Sequence, residues 1–369
     1  MGSIKQNLAN NILSGGKFDA TDLDGTIPNT NINDNSIDNV TSFPAAGSGI
    51  PSVASDPPSP SAGDVWYNTT SNAFKYLGLT TVGAWATGAD IGTGRRAAAS
   101  AGISSSSGLA IGGETVPGGF TGNTESYNGS AWTEVNDLNT ARGQFAGAGT
   151  QTSAIAFGGR APAISNASES WNGTSWTSTP SINTARRYQG GAGADNTSGL
   201  CFGGLDAAPG GTAVASNELW NGSSWTEVGD LNTARHSLGG TGIATSALAV
   251  AGDGPPVQLT QTETWNGTSW TEVNDLNTGV QSNAASGSST SAALSFGGST
   301  AAVPAGTTQT EEWDGTSWTI VTSMNVGNRE LSATGTQNST LAFGGAPDYT
   351  QTEEWTGPGV PVTKTVTTA

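Results

Sequence analysis

The sequence predicts an all-β protein whose main part is a six-bladed β-propeller. Three observations lead to this prediction. A tryptophan recurs every 44–49 residues, an apolar run that ends in glycine, usually a pair, falls in each interval, and an Asn-Gly or Asp-Gly pair precedes most of the tryptophans. Repeats of this length that read as several short strands are typical of propeller blades. The 369 residues are enough for one large all-β domain.

The recurring tryptophan belongs to a fixed register. An arginine stands ten residues after it in four of the six units, with Val280 and Asn328 in the other two, and a glycine follows seven residues later. An aromatic residue precedes the tryptophan by five positions in the five complete units. The tryptophans are Trp85, Trp132, Trp176, Trp225, Trp270 and Trp318, and the arginines are Arg95, Arg142, Arg186 and Arg235. Fixed spacings of this kind indicate side chains that pack in the same place in every unit.

Each unit reads as four short antiparallel strands. The segment after the arginine is the first strand, the apolar run is the second, the segment before the Asn-Gly or Asp-Gly pair is the third, and the tryptophan opens the fourth. These dipeptides are the preferred pairs of a two-residue type I′ hairpin, so we expect that turn between the third and fourth strands. The loop between the second and third strands takes up nearly all the variation in length.

These features resemble the kelch family of β-propellers. The matching residues are the Gly-Gly after an apolar strand, the aromatic residue followed by the tryptophan, and the basic residue that opens the next strand, over about residues 64–369. The resemblance implies a propeller fold and says little about function, because kelch propellers serve as enzymes, adaptors and structural proteins. Val280 and Asn328 depart from the basic position of the family.

Closing such a ring usually requires strands from both ends of the chain. Residues 64–94 supply an extra unit, in which Tyr76 aligns with the aromatic residue of the other units and precedes Trp85. We therefore expect residues 64–94 to be a ring-closing β-meander and residues 95–369 to hold six repeats. In this hypothesis the Trp85 strand completes the last blade beside residues 361–368.

Residues 1–63 differ in character from the repeats. In residues 1–43 the apolar side chains are sparse and separated by Asn, Asp and Thr, which suits a segment that buries its apolar face against copies of itself. Residues 44–63 are rich in proline and serine and read as a stiff, extended linker. The predicted organisation is an attachment or oligomerisation segment over 1–43, a linker over 44–63 and a propeller over 64–369.

The N-terminal part also resembles proteins of tailed bacteriophages. The stretch DPPSPSAGDVWYNTTSNAFKYLG resembles a short β-meander that is common in tail fibres and other virion proteins. The preceding LDGTIPNTNINDNSIDNVT resembles their N-terminal attachment or trimer-forming segments, and the two stretches cover about residues 18–78. The resemblance implies a homotrimeric protein of the virion tail, which is assembled in the host cytoplasm and binds other tail proteins through its N-terminal segment.

The charge balance disfavours several partners. Acidic residues outnumber basic ones by 29 to 12, the net charge is −17, and Lys and Arg form no cluster in the sequence. This argues against nucleic acid and anionic lipid as ligands. No run of 18 apolar residues occurs, so we expect no membrane insertion, and the N-terminus lacks the basic and apolar regions of a secretory signal.

Few residues are suited to catalysis. The chain has one histidine, His236, which we interpret as structural, and one cysteine, Cys201, which we interpret as a core residue. A single histidine excludes a multi-His metal centre and the copper-radical chemistry of kelch oxidases. The sialidase hairpin S-x-D-x-G-x-x-W is not matched. We therefore expect no enzyme activity, no catalytic residue, no metal and no cofactor.

The loops between the second and third strands form the candidate binding face. They all occur at the same stage of the repeat and hence on one side of the predicted disc, and loops on a rigid scaffold are frequent binding sites. Aromatic and acidic side chains in these loops are the candidate ligand contacts: Phe120, Asp206, Asp253, Asp348 and Tyr349. We expect the recurring tryptophans to pack between blades instead of stacking on sugars.

Together these features predict a non-enzymatic bacteriophage virion protein. It would be a tail fibre or receptor-binding protein that displays a propeller for recognition of a host-surface glycan or an outer-membrane component. One alternative is a purely structural virion component, such as a baseplate, collar or decoration protein. Another is a glycan-cleaving enzyme that uses a pair of loop carboxylates. A cellular kelch adaptor is a further alternative, which the N-terminal segment disfavours.

Overall fold

The computed structural model describes residues 51–58, 60, 64–79, 82–208, 210–254, 257–359 and 361–365. These residues are all-β, as predicted, and form many small antiparallel sheets in a propeller-like arrangement. No helix occurs among them, and so none that could span a membrane. The predicted attachment segment 1–43 and the linker up to residue 50 lie outside the described residues.

Contacts divide the chain into two units. The larger unit runs from Gly83 to Gly357, and the smaller one combines residues up to Val82 with residues from Pro358 onwards. The chain therefore enters and leaves the larger unit through two short connections. The predicted propeller begins at residue 64, whereas the larger unit begins at Gly83. The strands around residues 64–79 pair outside the repeats.

The smaller unit is a four-stranded sheet. Its strands, in spatial order, are Ser52–Val53, Val65–Asn68, Ala73–Leu79 and Pro361–Thr365. The first pair is parallel and the other two pairs are antiparallel. Tyr76 lies opposite Lys364 in this sheet. The expectation that residues 361–368 accompany the Trp85 strand is therefore wrong for 361–365, because the backbone of Ala73–Leu79 takes up their hydrogen bonds.

The carboxylate of Asp56 fastens the predicted linker to this sheet. It accepts hydrogen bonds from Trp66 Nε1 at 3.0 Å, from Asn68 Nδ2 at 2.7 Å and from Lys75 Nζ at 2.8 Å. The bond from Lys75 and those from the other two side chains lower the pKa of Asp56 to about 2. The described end of the linker is thus part of a folded unit.

The larger unit contains six antiparallel sheets, each with four strands of the repeat. The first strands are Ala99–Ser104, Ala146–Thr150, Gly190–Asp195, Gly239–Ile243, Ala284–Ser289 and Ser332–Thr336. The second strands are Ser107–Thr115, Ser153–Phe157, Ser198–Phe202, Ser246–Val250, Ala292–Phe296 and Ser339–Phe343. The third strands are Phe120–Tyr127, Ser168–Trp171, Asn217–Trp220, Thr262–Trp265, Thr310–Trp313 and Thr352–Thr356. The fourth strands are Trp132–Val135, Trp176–Thr179, Trp225–Val228, Trp270–Val273, Trp318–Ile320 and, for the last sheet, Ala84–Thr87. Two-residue strands lie beside the sheets at Arg95–Arg96, Arg160–Ala161, Ala163–Ile164, Arg186–Arg187, Leu205–Asp206, Asp253–Gly254 and Val257–Gln258.

The fourth strand of the last sheet comes from the N-terminal side of the repeats. Ala84–Thr87 pairs with Thr352–Thr356, so that Trp85 lies opposite Trp355. The centroids of these two indole rings are 5.4 Å apart. The aromatic pair that every other repeat makes within itself is therefore made here by residues from opposite ends of the unit.

The apolar core lies between consecutive sheets. Among the described residues, six clusters of buried side chains occur, and each combines residues of two consecutive sheets. One of them joins the last sheet to the first through Phe343, Ala110 and Tyr127. Five of the six recurring tryptophans are buried, Trp132 is half-buried, and the four recurring arginines are fully buried. These side chains thus pack between sheets and are not available to a ligand.

The paired glycines connect one sheet to the next. The N–H of Gly159 donates to the carbonyl of Arg186, in the next repeat, at 2.8 Å. Gly159 has a φ of +99°, and a Cβ there would lie 2.7 Å from the carbonyl oxygen of Gly143. Only glycine fits this close approach. The same bond joins the last repeat to the first, from Gly345 to the carbonyl of Arg95 at 3.0 Å.

The hairpin between the third and fourth strands differs from the predicted two-residue type I′ turn. In the second repeat, four residues separate the paired Trp171 and Trp176, and only Gly173 has a positive φ, at +90°. The side chain of Asn172 explains the difference, because its Oδ1 accepts the N–H groups of the residues two and three positions later, both at 2.9 Å. The predicted turn type was wrong because this side-chain cap replaces the backbone turn.

A buried glutamate on the third strand organises the start of each repeat. It stands two residues before the aromatic residue, as Glu125, Glu169, Glu218, Glu263, Glu311 and Glu353. In four repeats it pairs with the recurring arginine, for example Arg235 Nη2 to Glu263 Oε1 at 3.0 Å. The other oxygen of Glu263 accepts the backbone N–H of Asn232 at 2.7 Å. The carboxylate thus ties the third strand to the segment that leads into the first.

A glutamine replaces the arginine as donor in the last two repeats. Gln309 Nε2 donates to Glu311 Oε1 at 2.7 Å, and Gln351 Nε2 donates to Glu353 Oε1 at 2.9 Å. Both glutamines stand two residues before their glutamate. The buried carboxylate therefore keeps a side-chain donor in all six repeats, although the arginine is absent from two.

Replacing Trp85 by alanine should lower the free energy of unfolding by about 3–5 kcal/mol. The indole is 7% exposed and packs against Trp355 and Phe296, so its removal leaves a cavity in the last sheet. Urea unfolding followed by tryptophan fluorescence measures the change. Ile320→Ala, at a side chain that is 57% exposed on an outer strand, is the control and should change the value by less than about 0.5 kcal/mol. Equal losses in the two variants would contradict this role of Trp85.

Arg142→Val should lower the free energy of unfolding by about 3–5 kcal/mol, because it leaves the buried carboxylate of Glu169 without its ion pair. Adding Ala167→Gln copies the arrangement of the fifth repeat and should recover a measurable part of that loss. The two variants and the unchanged chain are compared by urea unfolding. A double variant no more stable than Arg142→Val would show that the glutamine does not substitute for the guanidinium.

Candidate functional site

Six equivalent residues form a hydrogen-bonded ring just before the first strands. The six-residue ring consists of Ala97, Gln144, Tyr188, Ser237, Ser282 and Glu330. Each N–H donates to the carbonyl of the equivalent residue in the preceding repeat at 2.7–3.0 Å, and Ala97 donates to Glu330, which returns the series to its start. All six have φ between +46° and +58°, where residues other than glycine are rare. Such strain persists only where the surrounding structure enforces it.

The ring and the residues that follow it surround a cavity of about 130 Å³. This is well below the volume of a pocket for a drug-sized ligand. The first strands begin at the end of the sheets where the second strands turn into the third. We call this end, with the ring and the loops between second and third strands, the loop end.

A network of charged and amide side chains covers one half of the ring. Arg96 Nη2 lies 3.1 Å from Glu114 Oε2, and Arg96 Nη1 lies 3.1 Å from Glu330 Oε2. Glu114 also accepts a hydrogen bond from Gln144, whose own Oε1 accepts one from Arg187 Nη1 at 2.8 Å. The network therefore runs through the sixth, first, second and third repeats.

Tyr188 lies within this charged half. The guanidinium carbon of Arg187 is 5.3 Å from the centroid of its ring. Burial raises the pKa of Tyr188 to about 12, and the charges of Glu330 and Glu114 act in the same direction. Burial also raises the pKa of Glu330, whereas the two carboxylates raise the pKa of Arg96 against the effect of burial. The phenol is therefore protonated at neutral pH and can donate a hydrogen bond.

The other half of the ring is formed by small residues. Ser237 and Ser282 occupy it, and His236 Nδ1 lies 3.0 Å from Ser237 Oγ. His236 Nε2 is 3.9 Å from Asp253 Oδ2, beyond hydrogen-bond distance, so these three side chains do not form a Ser-His-Asp relay. Burial lowers the pKa of His236 despite the nearby carboxylate, which leaves the imidazole neutral at pH 7.

The five predicted ligand contacts lie between the second and third strands or, for Phe120, at the first residue of the third strand, but they are not gathered at one point. Phe120 lies under the guanidinium of Arg160 at 5.9 Å, and Asp253 lies beside His236. Asp206 accepts the N–H groups of Ala208 and Thr212, and Asp348 accepts that of Thr350, so both stabilise their own loops. Tyr349 is half-buried, and its carbonyl accepts the N–H of Arg95. Among the described residues, no side-chain hydrogen bond or ion pair joins any two of the five.

The sequence analysis missed the residues that surround the cavity. The lining begins two positions after the recurring arginine, in a segment whose length never varies. One position after it the residues are Arg96, Gly143, Arg187, His236, Gln281 and Arg329, and the next position forms the ring. The sequence did contain a signal for these residues. Their types differ between repeats although the segment keeps its length, whereas a purely structural element would keep one residue type.

The described residues contain no group of three or more His, Cys, Asp or Glu side chains that could hold a metal ion. Cys201 is fully buried, and burial raises the pKa of its thiol to about 11. No protein-family model matches the chain, and no curated protein gives a significant match. The kelch and bacteriophage resemblances therefore rest on the residues of this chain alone.

The pKa of Tyr188 predicts a loss of stability in alkali. A folded-state pKa of about 12, above the ordinary value of 10.0, means that the folded chain keeps a proton which the unfolded chain releases. The associated stability is present below pH 10 and is lost as the pH rises to about 12. Tyr188→Phe should show a smaller decrease in the free energy of unfolding over this range. Identical decreases in the variant and the unchanged chain would contradict the buried position of the phenol.

Proposed function

We propose that the larger unit is a closed, six-bladed, kelch-like β-propeller. Three sets of interactions support this. The hydrogen bonds of the six-residue ring pass through all six repeats, the glycine bond of the last repeat reaches Arg95 in the first, and a core cluster lies between the last and first sheets. In this proposal the pairing of Ala84–Thr87 with Thr352–Thr356 is the closure of the ring.

We propose that the chain is a receptor-binding protein of a bacteriophage tail, a tail fibre or a related component, and that its loop end recognises the host surface. The observation that carries this proposal is the position of the ionisable side chains outside the buried Arg–Glu pairs. Tyr188 and Glu330 line one small cavity. Arg96 pairs with Glu330, Arg187 lies against the ring of Tyr188, and His236 contacts Ser237, another lining residue. Such a surface on a rigid scaffold is suited to binding a polar ligand.

The attachment to the virion is assigned to the N-terminal segment. The stretch that resembles a phage β-meander contains Asp56 and its three partners Trp66, Asn68 and Lys75, so its spaced polar residues serve one folded motif. We propose that residues 1–43 join the chain to other tail proteins as a homotrimer, assembled in the host cytoplasm. The proposed role is binding without catalysis, cofactor or metal, and without nucleic acid or membrane insertion.

The proposal is tested with the fluorescently labelled full chain on a panel of bacterial strains. We expect saturable binding to some strains, and a solution mass of three times the 36.8 kDa chain by light scattering. Tyr349→Ala combined with Phe120→Ala, both at the loop end, should weaken cell binding, because it removes two aromatic contacts there.

The matched control is Glu227→Gln, an exposed side chain on the outer strand Trp225–Val228. It should leave cell binding unchanged. A monomeric full chain that binds no strain would overturn the assignment as a receptor-binding protein. A trimer that binds no strain would favour the purely structural virion role instead.

A further inference from the structure

Arginines without an acidic partner are concentrated at the loop end. The chain has 29 acidic residues and eight arginines. Among the described residues, five arginines have a carboxylate oxygen within 4.0 Å, and these are Arg95, Arg96, Arg142, Arg186 and Arg235. The other three are Arg160, Arg187 and Arg329. In a chain so rich in acids, a guanidinium group without a carboxylate partner that contacts residues lining a cavity indicates a site for an anion from outside.

Arg187 is the best placed of the three. Its Nη1 donates to Gln144, its guanidinium lies against the ring of Tyr188, and its Nε is buried without a hydrogen-bond partner. The amide of Gln144 and the aromatic ring hold the guanidinium in one orientation, so little side-chain freedom is lost when a ligand binds. Arg187 thus offers an oriented positive charge that has no carboxylate oxygen within 4.0 Å among the described residues.

Arg187 contacts two residues that line the cavity, Gln144 and Tyr188. Ser237 and Ser282 line the same cavity. These serines, with the phenol of Tyr188, present hydroxyl groups that both donate and accept hydrogen bonds. A cavity of about 130 Å³ is too small for a peptide segment and suits one ring or a similar group.

We propose that this site binds a carboxylate-bearing sugar, with Arg187 as the ligand of the carboxylate. Hydroxyl groups of the sugar would hydrogen-bond to Ser237, Ser282 and Tyr188. Charge-assisted bonds from arginine to carboxylate are the strongest available here, and they give the discrimination against neutral sugars. The proposal rests on the assignment of the loop end as the binding face and names the class of ligand that it takes.

The test is a ligand-observed NMR titration of the full chain. The probes are D-glucuronate and D-galacturonate, with D-glucose and D-galactose as their neutral counterparts and acetate as a carboxylate without a ring. We expect at least one hexuronate to bind about tenfold or more tightly than its neutral counterpart and than acetate, which corresponds to about 1.4 kcal/mol.

Two variants separate this site from a general effect of charge. Arg187→Gln keeps a side-chain amide and removes the charge, and should weaken hexuronate binding by about tenfold or more. Arg160→Gln removes the same charge at the same end, beside Phe120 and outside the ring, and should leave hexuronate binding unchanged. Thermal unfolding checks that both variants are folded.

Several results would overturn the proposal. They are the absence of hexuronate binding, equal binding of neutral sugars, equal binding of acetate, and equal losses in Arg187→Gln and Arg160→Gln. The cell-binding assay separates this failure from that of the proposed function. Cell binding that survives in Arg187→Gln would refute the ligand class alone, while hexuronate binding by a chain that binds no cells would refute the receptor-binding role.

Discussion

The buried carboxylate on the third strand is the interaction on which the larger unit depends. In four repeats it joins three segments that are distant in sequence: the third strand, the arginine that opens the repeat, and the backbone that leads into the first strand. In the last two repeats it joins the third strand to that backbone without the arginine. A charge buried this deeply is destabilising unless its hydrogen bonds are satisfied. The glutamate therefore has to be accompanied by its donors, and these donors fix where the first strand begins and how it faces the next sheet.

The buried carboxylate requires a hydrogen-bond donor, but that donor does not have to be arginine. Two repeats have lost the arginine and satisfy the same carboxylate with Gln309 or Gln351. The carboxylate is the fixed element, and the donor is the replaceable one. The residue types at the two positions after the opening residue differ from repeat to repeat. The second of these positions lines the cavity, so its side chains determine the chemistry there. Residues that maintain the fold and residues that form the candidate site thus stand at adjacent positions. The former keep their chemical character in every repeat, and the latter do not.

Much of the repeat could be predicted from its sequence, because tryptophans, glycines and apolar runs report local packing directly. The turn type could not, since Asn-Gly alone does not reveal whether the Asn172 side chain caps the loop. The pairing of Pro361–Thr365 with Ala73–Leu79 was also missed, because both segments can form strands and sequence does not choose between partners. The sequence directed attention to the loops between second and third strands, and their role in binding stays a prediction. Residues at the cavity and beside it, such as Tyr188 and Arg187, directly follow a conspicuous arginine and were not singled out.

The two connections at residues 79–83 and 357–361 make the larger unit an insertion within a β-hairpin. Ala73–Leu79 and Pro361–Thr365 are antiparallel neighbours, and everything between them forms the repeats. All four strands of the small sheet therefore come from outside the insertion, so its backbone pairing is independent of what is inserted. A gene with this layout allows all the repeats to be exchanged as one insertion by recombination at two points, while the strands of the small sheet stay the same.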